Sequence, residues 1–372
     1  MTSPTQDNMS SNSLPEGITR CAVTCPMCNH QHSQYRLNPH LYWFTDMEMD
    51  RKPTGYQCRR SLEGYYAPLY ETWHCPDCHF SAHNRVFPDP LKNVYIEKGV
   101  ISRRLREYRA QHPDFDRVAN ALGEDTPIEN MDFAQAIRLS ILAIYFERFI
   151  VDILHQNHGA LARSYLRLAW LYRDWTAMDD QYEQHLARLQ PILDAVRKDW
   201  PDCPGNEPEA MEGACHWFDQ ALDSSAAKND PLETCGMMMQ IARIRIQMKD
   251  HEGAFQQLNA SRRSISEELD QATRKMNEDL HSSELTEEER GRLLSDTRKY
   301  RSMIEECRTL AESIRGKKPK TDRERAQSIL SQNPKASAST LRKLLKEAGI
   351  PDALINELAP AKKEGLLGGL FR

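Results

Sequence analysis

The sequence carries no strong excess of charge of either sign. Across 372 residues, 49 Lys and Arg face 54 Asp and Glu, a net charge of −5. So balanced a chain exerts no bulk attraction on nucleic acid or an anionic membrane. Long uncharged apolar runs are missing too. The most apolar stretch, AIRLSILAIYFERFIVDIL, contains Arg138, Glu147, Arg148 and Asp152, which argues against a membrane span and for a buried helix. The opening residues 1–20 lack the apolar core of a secretory signal and read as a polar, disordered leader. A cytoplasmic location is the expectation. P-loop, GxSxG, HExxH and dinucleotide-binding signatures are also lacking. No catalytic set can be named, and a non-enzymatic role is expected.

What the chain does have is cysteine, ten in all. In a reducing compartment these are thiols or metal ligands rather than disulfides. Two motifs stand out, CPMCNH at Cys25 and Cys28 and CPDCHF at Cys75 and Cys78. Two thiolates three positions apart on one turn can reach the same tetrahedral ion, and two such turns supply a closed four-sulfur shell. Structural zinc on Cys25, Cys28, Cys75 and Cys78 is therefore the first reading, with residues 29–74 inserted between the turns as a hairpin or loop. A redox dithiol is the alternative, but it wants a βαβ setting that this region does not offer. Unpaired thiols are the remaining one. Cys21, Cys58, His30, His32, His74, His79 and His83 are spare ligands that a closed site does not need.

The chain divides by composition. Residues 21–90 are short-phrased and aromatic, holding 11 of the 29 aromatic residues, and read as a small zinc-ribbon-like β module closed by FPDP. That module holds six basic and seven acidic residues, too even a balance for phosphate binding. Residues 91–262 read as a helical domain. Ile137, Ile141 and Tyr145, with Leu142, Phe146, Phe149 and Ile153, cover more than one face of a helix, so it should lie centrally. Met238, Ile241 and Ala242, followed by Ala254, Leu258 and Ser261, fit a tetratricopeptide-like helix pair, although Arg245 stands where an aromatic is usual. A non-repetitive bundle is the alternative. On that pair, Gln240 and Arg243 are expected to face solvent and to be available to a partner.

Residues 263–315 read as a helical hairpin. Leu293, Thr297, Tyr300, Ile304, Cys307, Ala311 and Ile314 form one seam, and Thr286 with Glu289 a capping box. Residues 316–372 hold 12 Lys and Arg against 6 Asp and Glu. They form a basic linker, a small helical module and the apolar end GLLGGLFR. The expected fold class is thus mainly α, with a zinc-ribbon-like β module followed by a tetratricopeptide-like array that ends in a helical hairpin.

The paired CPxC motifs, with PLYETWHC before the second and FSA after it, and then YLRLAWLYR, resemble a bacterial domain-of-unknown-function family. Its members join an N-terminal double-cysteine region to tetratricopeptide-like helices. The resemblance covers roughly residues 21–262 and leaves the hairpin and tail outside. It implies architecture and carries no activity. The expected function is a zinc-stabilised scaffold or adaptor whose partner is another protein. A nucleic-acid-associated regulator acting through the zinc module or the basic tail is the second reading, and a thiol redox or zinc-dependent enzyme the third. Chelation is expected to melt residues 21–89 while the helices persist.

Overall fold

The computed structural model describes residues 14–88, 100–124, 131–155, 157–224, 230–282, 285–315 and 338–347, with positions 126, 351, 354, 355 and 358. Most of the polar leader, Pro90 of FPDP, the basic linker and GLLGGLFR lie outside the described residues. The residues up to Leu310 belong to one compact unit and those from Ala311 onward to a second.

The chain is mainly helical, with a small N-terminal antiparallel strand region. Strands β1 (Ile18–Thr24) and β2 (Gln31–Leu37) form one hairpin, β3 (Tyr42–Met47) and β4 (Pro53–Cys58) a second, β5 (Thr72–His74) and β6 (Ser81–His83) a third. Each is its own two-stranded sheet, and short 3-10 turns at Arg60–Leu62 and Ala67–Tyr70 join the second to the third. The span between the cysteine motifs thus contains a complete hairpin. In that hairpin Gly55 sits at φ +67°, and a Cβ there would meet Thr45 Oγ1 at 2.1 Å, so only glycine fits.

Helices follow: α1 (Val100–Gln111), α2 (Pro113–Gly123), α3 (Phe133–Leu154), α4 (His158–Met178) and α5 (Tyr182–Asp199). Then come α6 (Glu207–Asp223), α7 (Pro231–Gln247), α8 (His251–Ser282), α9 (Glu287–Ile314) and, in the second unit, α10 (Ala338–Glu347). Helix α3 starts at a capping box: Asp132 accepts the Gln135 amide at 2.8 Å, and the Gln135 side chain accepts the Asp132 amide at 3.0 Å. Its Ile137, Ile141, Leu142 and Ile144 are all fully buried, which makes it the central helix its all-round apolar pattern implied. Helix α4 lies against α3 and α6, α5 against α2, and α7 against α6 and α8. No helix among the described residues is long and apolar enough to cross a membrane.

The tip of the second hairpin is clamped to the helices by buried charge. Asp50 is fully buried, and its carboxylate accepts from Trp170 Nε1 at 3.0 Å and from Arg173 at 2.9 Å, both on α4. Arg173 also pairs with Glu48 and, at 2.7 Å, with Glu207 of α6. Lys52, only 4% exposed, pairs with Asp174 at 2.6 Å, and Tyr66 donates to the same carboxylate at 2.8 Å. Buried ions of this kind are tolerated only when every partner is satisfied.

This clamp overturns one expectation. Gln240 and Arg243 do not stand free for a partner. Gln240 donates to the Asp50 carbonyl at 2.7 Å, and Arg243 is 7% exposed and pairs with Glu306 of α9 at 2.7 Å. Arg51, next to Asp50 in the hairpin, pairs with that same Glu306 at 3.0 Å. The helical period marked the two residues as polar neighbours of a core face. It could not show that a hairpin some 190 residues upstream would cover them.

Helix α8 runs unbroken through residue 262, and its Ile265 and Ala272 are buried. On α9 the expected seam is turned inward, with Thr297, Tyr300, Cys307 and Ile314 buried. Thr286 and Glu289 form the capping box, their backbone amides bonding the opposite side chains at 2.8 and 3.3 Å. Asp279, near the end of α8, accepts the Leu285 amide at 2.6 Å and pairs with Arg290, tying the two helices together across their turn.

Because Arg243 satisfies Glu306 from a nearly closed position, Arg243→Glu would set two carboxylates against each other there. Urea denaturation should show a loss of about 3 kcal/mol. A loss below about 0.5 kcal/mol, the level of an ordinary surface change, would contradict the clamp.

Candidate metal centre

Each cysteine motif occupies the turn of a hairpin, the first between β1 and β2 and the third hairpin's turn between β5 and β6. The two turns are built alike. The Asn29 amide donates to the Cys25 carbonyl at 2.9 Å, and the Cys25 amide to the His30 carbonyl at 2.9 Å. In the second turn His79 donates to Cys75 at 2.9 Å and Cys75 to Phe80 at 2.8 Å. Asn29 and His79 hold φ of 64° and 60°, the left-handed conformation that lets each chain curl around its sulfurs. Glycine is usual there, but Asn and His are among the residues that tolerate it.

The turns bring the four sulfurs together from sequence positions up to 53 apart. Cys25 and Cys78 sulfurs lie 3.6 Å apart, as do those of Cys28 and Cys75, and all four ligand atoms fall within 4.8 Å of one another. A tetrahedral thiolate site with bonds of about 2.3 Å has sulfur–sulfur edges of about 3.8 Å. The cluster therefore has the size and donor set for a single soft or borderline cation. Cys25, Cys75 and Cys78 are buried and Cys28 half-buried, and the Met27 amide points at the Cys25 sulfur at 3.4 Å.

Among themselves the four thiols cannot all ionise. Hydrogen bonds from Cys25 and Cys78 hold the Cys75 thiol far below its ordinary value. The same bonding to Cys75 pushes Cys25 up to about 12, and bonding to Cys25 and Cys75 raises Cys78 further. Burial raises Cys28. A bound cation changes this balance by stabilising every thiolate at once.

The spare ligands do not join the cluster. His74 is buried, its Nδ1 3.0 Å from the Ser81 hydroxyl and its ring stacked on His79 at 5.5 Å between centroids. Gly123, at the end of α2, lies against that pair, where a Cβ would come within 2.4 Å of His79 Nδ1. His83 faces Glu71 at 3.6 Å, and the Cys21 thiol points back to the Thr19 carbonyl at 3.8 Å. Cys58, His30 and His32 are likewise outside the group of four, the only such cluster among the described residues.

The second turn is also rooted in the helices. Phe80, 1% exposed, meets Phe146 of α3 edge-on at 5.3 Å, and Thr72 bonds Ser140 of α3 at 3.4 Å. A single apolar core runs from Cys25 to Ile244 without a gap between strands and helices. The signal was the Phe that follows CPDCH, but sequence alone could not say which helix it enters.

Fold and site define a mainly helical protein whose N-terminal strand region carries a four-cysteine cluster that could hold a metal ion. The chain belongs to the family described as an uncharacterized protein conserved in bacteria (DUF2225), whose model matches residues 18–300. The match takes in α8 and half of α9, beyond the span over which the cysteine and helix motifs carried the resemblance. No curated protein and no solved structure matches the chain.

Replacing Cys25 and Cys75 together by Ser should abolish bound metal, measured by plasma emission spectrometry on the purified protein. The shared core makes module and helices melt together rather than separately. Chelation should lower the single melting transition by about 10 °C, several kcal/mol at this size. A helical transition unmoved by chelation would contradict the coupling. Thiolate ligation competes with protons, so metal should leave as pH falls and be retained as it rises.

Proposed function

We propose that the chain is a zinc-stabilised cytoplasmic scaffold, in which the four cysteines hold one Zn²⁺ and a tetratricopeptide-like helical array receives another protein. The observation that carries this reading is the close approach of successive helices through small side chains. Ala210 and Ala214 of α6, Ala242 of α7 and Ala254 of α8 are all 0% exposed, and α7 lies against both α6 and α8. Alanine at such positions lets helix pairs stack into an extended surface.

Zinc suits the donor set. Four protein sulfurs complete its tetrahedral shell and leave no position for a reacting water, so the ion's part is to hold the two turns together. The clamp at Asp50 lies along α4 and α7, the helices whose sequences fit the first position of a repeat. In this reading the partner therefore meets a composite face, with the second hairpin already seated on the array. Trp43 and Met47 of that hairpin are 41% and 56% exposed.

The test is capture of a partner by the full chain from its own host, followed by cross-linking and mass spectrometry. Cross-links from a stoichiometric protein partner to α4–α8 are expected. Cross-links confined to residues 18–88 would refute the array as the receiving surface. Duplex binding at micromolar or tighter affinity in about 150 mM salt would favour the nucleic-acid reading instead.

A further inference from the structure

A cavity of about 220 Å³ lies where the second and third hairpins meet α3 and α4. None of its lining residues belongs to the cysteine cluster. Its charges do not cancel. Lys52 is consumed by Asp174 at 2.6 Å, and Glu71 faces His83 at 3.6 Å. Arg85 and Arg167 also line the cavity, and neither guanidinium makes an ion pair among the described residues.

Arg167 is the telling one. It projects from the middle of α4 into a partly closed space, and burial lowers its pKa, opposed by Glu71 and Glu147. Those carboxylates act on it only from a distance. Burial also lifts the Glu147 carboxyl to about 7, so it compensates the guanidinium incompletely. Arg167 is half-buried and has no ion-pair partner among the described residues, so a cation partly withdrawn from water favours an arriving counter-charge. Beside it stand the hydroxyls of Ser164, which bonds the Glu147 carboxylate, and of Ser140, which bonds Thr72 at 3.4 Å.

The rest of the wall is mixed, with Tyr66, Thr72 and His83 beside an apolar part. That apolar part is supplied by Trp170 and Leu171 of α4, Ala143 of α3, Phe44 of β3 and the rings of Pro53 and Pro68. A planar guanidinium matches a carboxylate with two parallel hydrogen bonds, and an apolar wall rewards a hydrocarbon body on that carboxylate. Inorganic phosphate would satisfy the cation and waste the wall. We propose that this cavity binds a small carboxylic acid with a compact apolar body, its carboxylate on Arg167 and Arg85 and its body against Trp170 and Leu171.

Isothermal titration of the full-length, metal-loaded protein with sodium benzoate tests the assignment, with benzamide and inorganic phosphate as parallel probes. Saturable benzoate binding is expected, with benzamide and phosphate each at least tenfold weaker. Arg167→Gln should weaken benzoate at least tenfold. Arg85 is exposed, so Arg85→Gln should keep the fold, checked by its melting curve, and still weaken benzoate several-fold. The proposal is overturned if benzoate fails to bind, if benzamide or phosphate binds as well, or if Arg85→Gln leaves the affinity unchanged.

Discussion

Two-stranded hairpins are marginal structures in water, and the N-terminal region of this protein consists of three of them with no sheet joining one to the next. Four cysteine sulfurs within 4.8 Å of one another bring the turn of the first hairpin to that of the third, and a metal held there would supply the missing cross-link. Everything between those turns, including the second hairpin, is a loop whose ends the cluster closes. Closing so long a loop through a metal would remove much of the freedom of the unfolded chain. The cluster therefore sets where the second hairpin can reach.

That reach matters because the hairpin's tip is charged and buried. Asp50 has no exposed surface and depends on Trp170, Arg173 and Gln240 for its hydrogen bonds. Arg173, in turn, depends on Glu48, Asp50 and Glu207. Displacing the tip would leave several buried charges unpaired, each a larger loss than the pair was a gain. Strand module and helices are thus held by two different means. Apolar packing at Phe80 and Phe146 supplies the contact, and the ionic clamp fixes the hairpin's position on α4, α6 and α7.

Features governed by local rules could be read from the sequence. The cysteine spacing announced both turns, the all-round apolar pattern marked α3 as central, and the Thr286–Glu289 box placed the start of α9. Long-range polar pairs were not legible. Nothing near Asp50 signals an arginine 123 positions later, and nothing near Arg243 signals Glu306. Burial of a charged residue is decided by what arrives from elsewhere in the chain, so periodicity assigned Gln240 and Arg243 to solvent. The cavity around Arg167 escaped for the same reason, since its wall is gathered from four strands, the turns beside them and two helices.

X-ray absorption at the metal edge of the purified protein addresses the central claim directly, because it counts and types the ligands. The account predicts one zinc per chain with four sulfur neighbours at about 2.3 Å and no oxygen or nitrogen in the first shell. A shell containing histidine nitrogen or water oxygen, or an oxidised cluster without metal, would contradict it.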